Sequence, residues 1–167
     1  MQADIILETG RLILRMPVIG DFETYAALMA SSRSTGMGGP FDKRGAWGLF
    51  CHDVAQWQLL GHGALMVDLK ETGECVGQVG INGGPLFPEN ELGWLLYDGF
   101  EGRGIAMEAA LAMRDWGRDV RGLPSLVSYV SPDNHASIAV AERIGGVLDN
   151  HAARPEPDDL VFRHFAR

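Results

Sequence analysis

Cysteine is scarce in this 167-residue chain: Cys51 and Cys75 are the only two, and they lack the close spacing of a metal or redox pair. A disulfide scaffold is thereby excluded, and two reduced thiols point to a cytoplasmic protein. Positive charge is also short, with 14 Lys and Arg against 22 Asp and Glu and a net charge of −8. That balance excludes the basic surface on which nonspecific nucleic-acid or anionic-membrane binding relies, and it suits a cationic acceptor such as an amine. No apolar run approaches the ~20 residues of a membrane span. Met1 to Gly10 carries acids and lacks the basic-then-apolar form of a signal peptide. The chain has no HExxH pattern, no histidine pair at metal-ligand spacing and no Gly-Lys-Ser/Thr triplet, so neither a metal centre nor a Walker loop is expected.

Hydrophobic residues at 46% and charged residues at 22% describe a soluble globular protein, read here as one domain over residues 1–167. Its organising stretch runs from Glu89 to Gly117. Leu92, Trp94, Leu95, Leu96 and Tyr97 make a buried strand. Ile105, Ala109, Ala112, Met113 and Trp116 fall on one face of a helix. Between them Gly99-Phe100-Glu101-Gly102-Arg103-Gly104 turns the chain from strand end to helix start. A helix start carries unpartnered N–H groups and about half a positive charge, and glycines at 102 and 104 would let an anion approach them. The turn is therefore either a phosphate or pyrophosphate cradle or an ordinary tight connection. It is not a dinucleotide fingerprint, because Met107 stands where the third small residue belongs and no acid follows at Arg121-Gly122-Leu123-Pro124. Local positive charge would come from Arg103, since Arg114 and Arg118 read as a solvated helix face.

In chain order, Arg11–Arg15 is a short strand. Asp21 is placed to cap a helix carrying Phe22, Tyr25, Ala26 and Met29 to about Ser32. A glycine-rich loop spans Ser31 to Phe41. A second helix covers Lys43 to Leu60, with Trp47, Phe50, Cys51, Val54 and Trp57 toward the core. Strands at Ala64–Leu69 and Cys75–Asn82 form a hairpin across Lys70–Glu74. After the central element, Ser125–Val130 makes a strand parallel to Leu92–Tyr97. A helix begins at Asp133 or Asn134 and ends at Gly145-Gly146. Val147-Leu148 and Leu160–Phe165 are the last strands, separated by an acidic, proline-rich loop (Arg154–Asp159) that should be mobile. These elements define an α+β class with a mixed sheet.

Gly102-Arg103-Gly104-Ile105-Ala106 resembles the acetyl-CoA pyrophosphate loop of the GNAT N-acetyltransferases, Gln/Arg-x-x-Gly-x-Gly/Ala, although Gly99 replaces the first position. The opening phrase LETGRLILRMP with Asp21, and the Asn134-His135-Ala136-Ser137 segment followed by Gly145-Gly146, resemble the Rim-type members, which acetylate protein N-termini. Together the three likenesses span nearly the whole chain in order. The resemblance implies a mostly antiparallel sheet of six to seven strands with helices on both faces and splayed central strands, Gly93 marking a bulge where they part. It implies acetyl-CoA as co-substrate, held by the backbone of Leu95, Leu96 and Tyr97 and by Gly102, Arg103, Gly104, Ile105 and Ala106, with contacts from Asn134 and Ser137.

The position where many relatives carry a general-acid Tyr is Ala141. The Rim-type resemblance implies Ser137 as the donor to the departing sulfur, unless it only bonds back to a helix carbonyl. Glu91, in the phrase Glu91-Leu92-Gly93-Trp94, is the candidate base through water, unless it is a surface carboxylate. His135 reads as solvent-facing. The implied reaction is acetyl transfer to a primary amine, namely a protein or peptide N-terminal α-amine. The alternatives are a small-molecule amine (polyamine, aminoglycoside or amino acid) and a non-catalytic acyl-CoA-binding module. The acceptor, a homodimer and the roles of the two long loops stay open.

Overall fold

The run at Arg11–Arg15 forms the strand Leu12–Arg15 (β2) in the computed structural model, which describes residues 4–167. Beside it lies a strand that the sequence reading left out, Ile5–Glu8 (β1), whose pairing with β2 runs through Leu7↔Leu14 and Glu8↔Ile13. Four residues reading Ile-Ile-Leu-Glu carry no alternation to announce a strand, and only the partner identifies it. The sheet continues with Ala64–Leu69 (β3), Cys75–Asn82 (β4), Glu91–Leu96 (β5), Ser125–Val130 (β6), Val147–Leu148 (β7) and Leu160–Ala166 (β8). Their order is β1-β2-β3-β4-β5-β6-β8-β7, eight strands rather than six or seven, antiparallel throughout except between β5 and β6.

Alternation along the strands assigns the two faces. Leu65, Val67, Val79, Ile81, Leu92 and Leu96 pack under the helix Ile105–Asp119 (α3). Contact is close enough that a Cβ on Gly117 would lie 2.8 Å from Ile81 Cδ1. The helix His135–Arg143 (α4) shares this face beside α3. Met66, Leu95 and Tyr97 point the other way, toward the helices Phe22–Met29 (α1) and Lys43–Leu60 (α2), whose Phe22, Tyr25 and Phe50 fill the second core. None of the helices among the described residues is long and apolar enough to cross a membrane.

Helix α2 has the expected bounds, but its inward face differs. Trp47 is 43% exposed, its edge against Phe22, and Cys51 is exposed, whereas Ala46, Phe50 and Gln56 are buried. The rotation turns a polar residue, Gln56, into the sheet. Asp21 does not cap α1 through its side chain. Its carboxylate instead accepts from Val18 N–H (2.8 Å) and from Arg15, because a buried guanidinium competes for it. Helix α1 ends at Met29, and Ser32–Met37 forms a short 3₁₀ segment within the glycine-rich loop. Ser34 Oγ donates to the Met29 carbonyl (2.8 Å), and Arg33 reaches Asp98 and Glu101, tying this loop to the turn before α3.

The acidic loop before β8 is cross-braced rather than loose. The Arg154 guanidinium donates to the carbonyls of Asn150, Ala152 and Asp159, and Asp149 accepts from His151 N–H, Ala152 N–H and Arg163. Arg114 likewise leaves the solvated face expected for it and donates to the Ile144 carbonyl, joining α3 to the end of α4. Arg118 stays on the surface beside Asp115 and Asp119.

Candidate functional site

Strands β5 and β6 meet as a parallel ladder only at Glu91↔Val127, where Val127 N–H donates to the Asn90 carbonyl (3.0 Å). Just beyond, Ser128 Oγ donates to the Leu92 carbonyl (2.6 Å) and accepts from His164 Nε2 (2.8 Å). His164 is the extra residue where the β6–β8 register shifts, and a bulge of this kind re-aims a side chain. Burial pushes its imidazole down to about 4, so the ring is neutral. A side-chain hydroxyl thus ends the ladder, and the two strands part from there.

Gly93 is not the bulge. Pairing of β4 with β5 runs without a shift through Gly80↔Gly93. Its use is different: a Cβ there would lie 3.3 Å from Glu91 Oε1, so the bare position leaves room for the Glu91 carboxylate to lie along the strand.

The parting exposes backbone polar groups on one edge of β5. Tyr97 N–H is already engaged by the Val76 carbonyl (2.8 Å). By strand alternation, Leu95 and Tyr97 therefore direct their backbone groups to β4, and Trp94 and Leu96 direct theirs to the gap. Of the three backbone positions proposed from sequence, Leu96 faces the opening and Leu95 and Tyr97 do not. Trp94 was missed, because its aromatic side chain read only as core. The Tyr97 hydroxyl is buried with no partner among the described residues.

At the end of β5 the glycine turn delivers the chain to α3. Gly99, Gly102 and Gly104 all have left-handed backbone (φ 90°, 76° and 74°), a region costly for residues with a Cβ. Gly104 caps α3 with no side chain, and the N–H groups of Gly102, Arg103, Gly104, Ile105 and Ala106 donate to none of the described residues. Five open donors at and just before a helix start have the chemistry of an anion site. Arg103 is exposed, its guanidinium over the Phe100 ring (5.4 Å). Arg11, another residue sequence reasoning passed over, braces the turn from behind. It donates to the Arg103 carbonyl (2.9 Å) and pairs with Glu108 (2.7 Å).

Gly104→Val is expected to cost about 1–2 kcal/mol of stability through the left-handed backbone and to weaken acetyl-CoA binding about tenfold or more by misaligning the donors. Differential scanning calorimetry and titration calorimetry check the two effects.

Across the gap, Asn134 caps α4, its Oδ1 accepting from Ser137 N–H (3.1 Å). The Ser137 hydroxyl makes no hydrogen bond to the described residues, so it is not spent on a helix carbonyl. His135 is exposed. Ser137 and Asn134 belong to the α3–α4 side of the sheet, while alternation puts Glu91 with Leu95 and Tyr97 on the α1–α2 side. The two candidate catalytic residues thus flank the gap from opposite faces, with no hydrogen bond between them.

Burial pushes the Glu91 carboxyl up to about 7, against the opposing effect of the Asn82 amide and with a further upward push from Asp159. The neighbouring Glu89 is held below the usual carboxylate range by Arg163, whose guanidinium makes two bonds of 2.9 Å to it. Two acids two residues apart, Glu89 just before β5 and Glu91 at its first position, are thus pushed in opposite directions. Glu89 is an ion-pair partner of Arg163, and Glu91 has no cation beside it among the described residues and its carboxyl is held up near neutrality. Cys75 is no nucleophile, since burial pushes its thiol up to about 12. Among the described residues no cluster of His, Cys, Asp or Glu is arranged to hold a metal ion.

Residues 11–147 match the acetyltransferase (GNAT) domain family, and the chain belongs to that family of acetyl-CoA-dependent acetyltransferases. An acetyltransferase from Agrobacterium tumefaciens str. C58 is 61% identical, with a TM-score of 0.92 over 99% of this chain and 95% of that one. RimL, a ribosomal L7/L12 α-N-protein acetyltransferase solved with coenzyme A, shares the fold at 19% identity, with a TM-score of 0.73 over 96% of each chain. The uncharacterized protein YkkB of Bacillus subtilis (strain 168) is 41% identical over 80 residues, 46% of this chain and 45% of its own length, so that match spans less than half of the relative.

Proposed function

We propose that the protein acetylates the α-amine of a protein or peptide N-terminus. The observation that carries this reading is the position of Glu91 at the one residue pair where β5 still meets β6, with burial pushing its carboxyl up to about 7. An α-ammonium has a pKa of ~7.7–8.0, so passing its proton to such a base costs about 1 kcal/mol, whereas a lysine ammonium at ~10.4 costs about 4–5 kcal/mol. A base of this strength, reaching the amine directly or through one water, serves the first acceptor and handles the second poorly. The net charge of −8 favours approach of a cationic chain end, and the fold shared with RimL agrees with such a substrate.

Acetyl-CoA supplies the activated acyl group. The five open N–H groups of Gly102–Ala106 would hold its pyrophosphate, and the free backbone edge at Trp94 and Leu96 would take the amides of its arm as an added strand. The Ser137 hydroxyl would donate to the departing sulfur, Asn134 would fix the start of α4, and Glu91 would take the proton from the amine. Thiol release measured across an acceptor panel tests the reading. Turnover with Ser- or Ala-initiated peptides, and none with an N-terminally blocked peptide carrying lysine, is expected. Turnover confined to polyamines or other small amines would overturn it, and acetyl-CoA binding without any thiol release would leave only a binding module.

A further inference from the structure

Gln56 sits on α2 with 3% exposure, an uncommon place for a primary amide, and its bonds account for it. Its Oε1 accepts from the backbone N–H of Gly83 (2.9 Å), and its Nε2 donates to Asn82 Oδ1 (3.0 Å). The first bond fixes the amide orientation, because a backbone N–H can only donate. With the Gln56 oxygen committed, its nitrogen must meet an acceptor, so the Asn82 oxygen turns toward α2 and the Asn82 nitrogen turns away from it. Asn82 is directly cross-strand from Glu91, and its Nδ2 converges with Glu91 Oε1 above Gly93, at 3.9 and 3.3 Å from the position a Cβ would take there.

We propose that Gln56 and Asn82 are positioning residues for Glu91, a two-amide chain from the Gly83 backbone that keeps a hydrogen-bond donor aimed at the carboxylate. The chain does two things. It holds the Glu91 side chain back over Gly93, and it favours the charged form that accepts a proton, against burial and the acidic Asp159. From β6, Tyr129 also feels the Glu91 charge, but its hydroxyl accepts from Glu89 N–H (3.1 Å). Without Gln56 the Asn82 amide is free to turn over and present its oxygen to the carboxylate, which would disfavour ionisation. The inference rests on Glu91 being the proton acceptor, and the test separates the two claims.

The variants are Gln56→Met and Asn82→Leu, each close in volume and neutral, with Glu91→Gln alongside. The pH dependence of kcat/KM on a Ser-initiated peptide is read as the ratio of variant to wild type, so that titration of the acceptor amine cancels. His52 lies one turn before Gln56, and Asp53 favours its charged form, so a His52→Gln control identifies any limb that belongs to it. Glu91 itself is titrated by carbon NMR of glutamate-labelled protein, with its signal assigned by loss in Glu91→Gln.

Loss of the donor in Asn82→Leu, and of its fixed orientation in Gln56→Met, predicts an upward move of the Glu91 midpoint and of the acidic limb, by about one to two pH units in Asn82→Leu and in the same direction in Gln56→Met. Activity would fall about tenfold or more near pH 6.5 and recover in alkali, whereas a merely structural lesion lowers the rate at every pH. If Asn82→Leu does not fold, Gln56→Met carries the same test with Asn82 in place. Unchanged midpoints by both readouts, with Glu91→Gln still inactive, would overturn the positioning role. Full activity in Glu91→Gln would instead remove the proton-acceptor reading itself.

Discussion

Glu91→Gln is expected to lower kcat/KM by about 10²–10⁴-fold, the usual contribution of a positioned general base. It should also make the folded protein more stable in alkali. Glutamine keeps the size and hydrogen-bonding of the protonated acid but cannot take a proton, so the two effects have one origin. The folded-state carboxyl is pushed up to about 7 from 4.5, so the protonated form is the one the fold accommodates. Below the unfolded value both states are protonated and the full stability is present. As pH rises through 7 the folded protein must hold a buried carboxylate, and stability is lost. The separation of the two ionisation points sets a ceiling of about 3 kcal/mol, reduced by the residue's partial exposure. At ~2–4 °C per kcal/mol for a chain of this length, the variant should melt several degrees above wild type near pH 8 and close to it near pH 4.5. Thermal unfolding at the two pH values reads the stability effect, and thiol release reads the rate. Equal melting shifts at both would mean that Glu91 titrates as an ordinary surface acid.

The sequence carried the architecture wherever a local rule operates. Helix α2 and strands β3, β4 and β6 begin and end at the expected residues, since alternation, caps and glycine stops are read within a few positions. The glycine turn was legible for the same reason, as its requirement for left-handed backbone is local. What escaped depends on partners far along the chain. Gln56 and Asn82 are 26 residues apart, and Asn82 read only as the last residue of a strand. Asp21 had the chemistry of a cap, but Arg15 claims it. Arg154 sits in a loop too polar to suggest order, yet one guanidinium satisfies a set of carbonyls there and holds the loop. Along β5 the aromatic side chains were legible, but the direction of each backbone group depends on the register with β4, which fixes Trp94 and Leu96 toward the gap.

Arg15→Met is expected to be the most destabilising single change outside the apolar core. The Arg15 guanidinium makes two bonds of 2.8 Å to Asp21, one of 2.6 Å to Asp68 and one of 3.3 Å to the Met16 carbonyl, with all three charged side chains at most 16% exposed. It joins β2, the segment leading into α1, and β3 at one point, and its own pKa is raised by these carboxylates. Removing it strands two buried carboxylates, and Asp68 Oδ1 already lacks a partner among the described residues. Breaking a buried pair from one side costs about 3–5 kcal/mol, a large part of a typical 5–15 kcal/mol total. Arg15→Lys keeps the charge but not the fork, and should recover only part of the loss. Replacing Asp68 by Leu in the Arg15→Met background relieves one stranded charge and should restore stability, a sign that simple loss of packing at Arg15 cannot produce. Urea unfolding of the three variants decides it: a double variant no more stable than Arg15→Met would mean that the cluster holds the fold by shape rather than by charge.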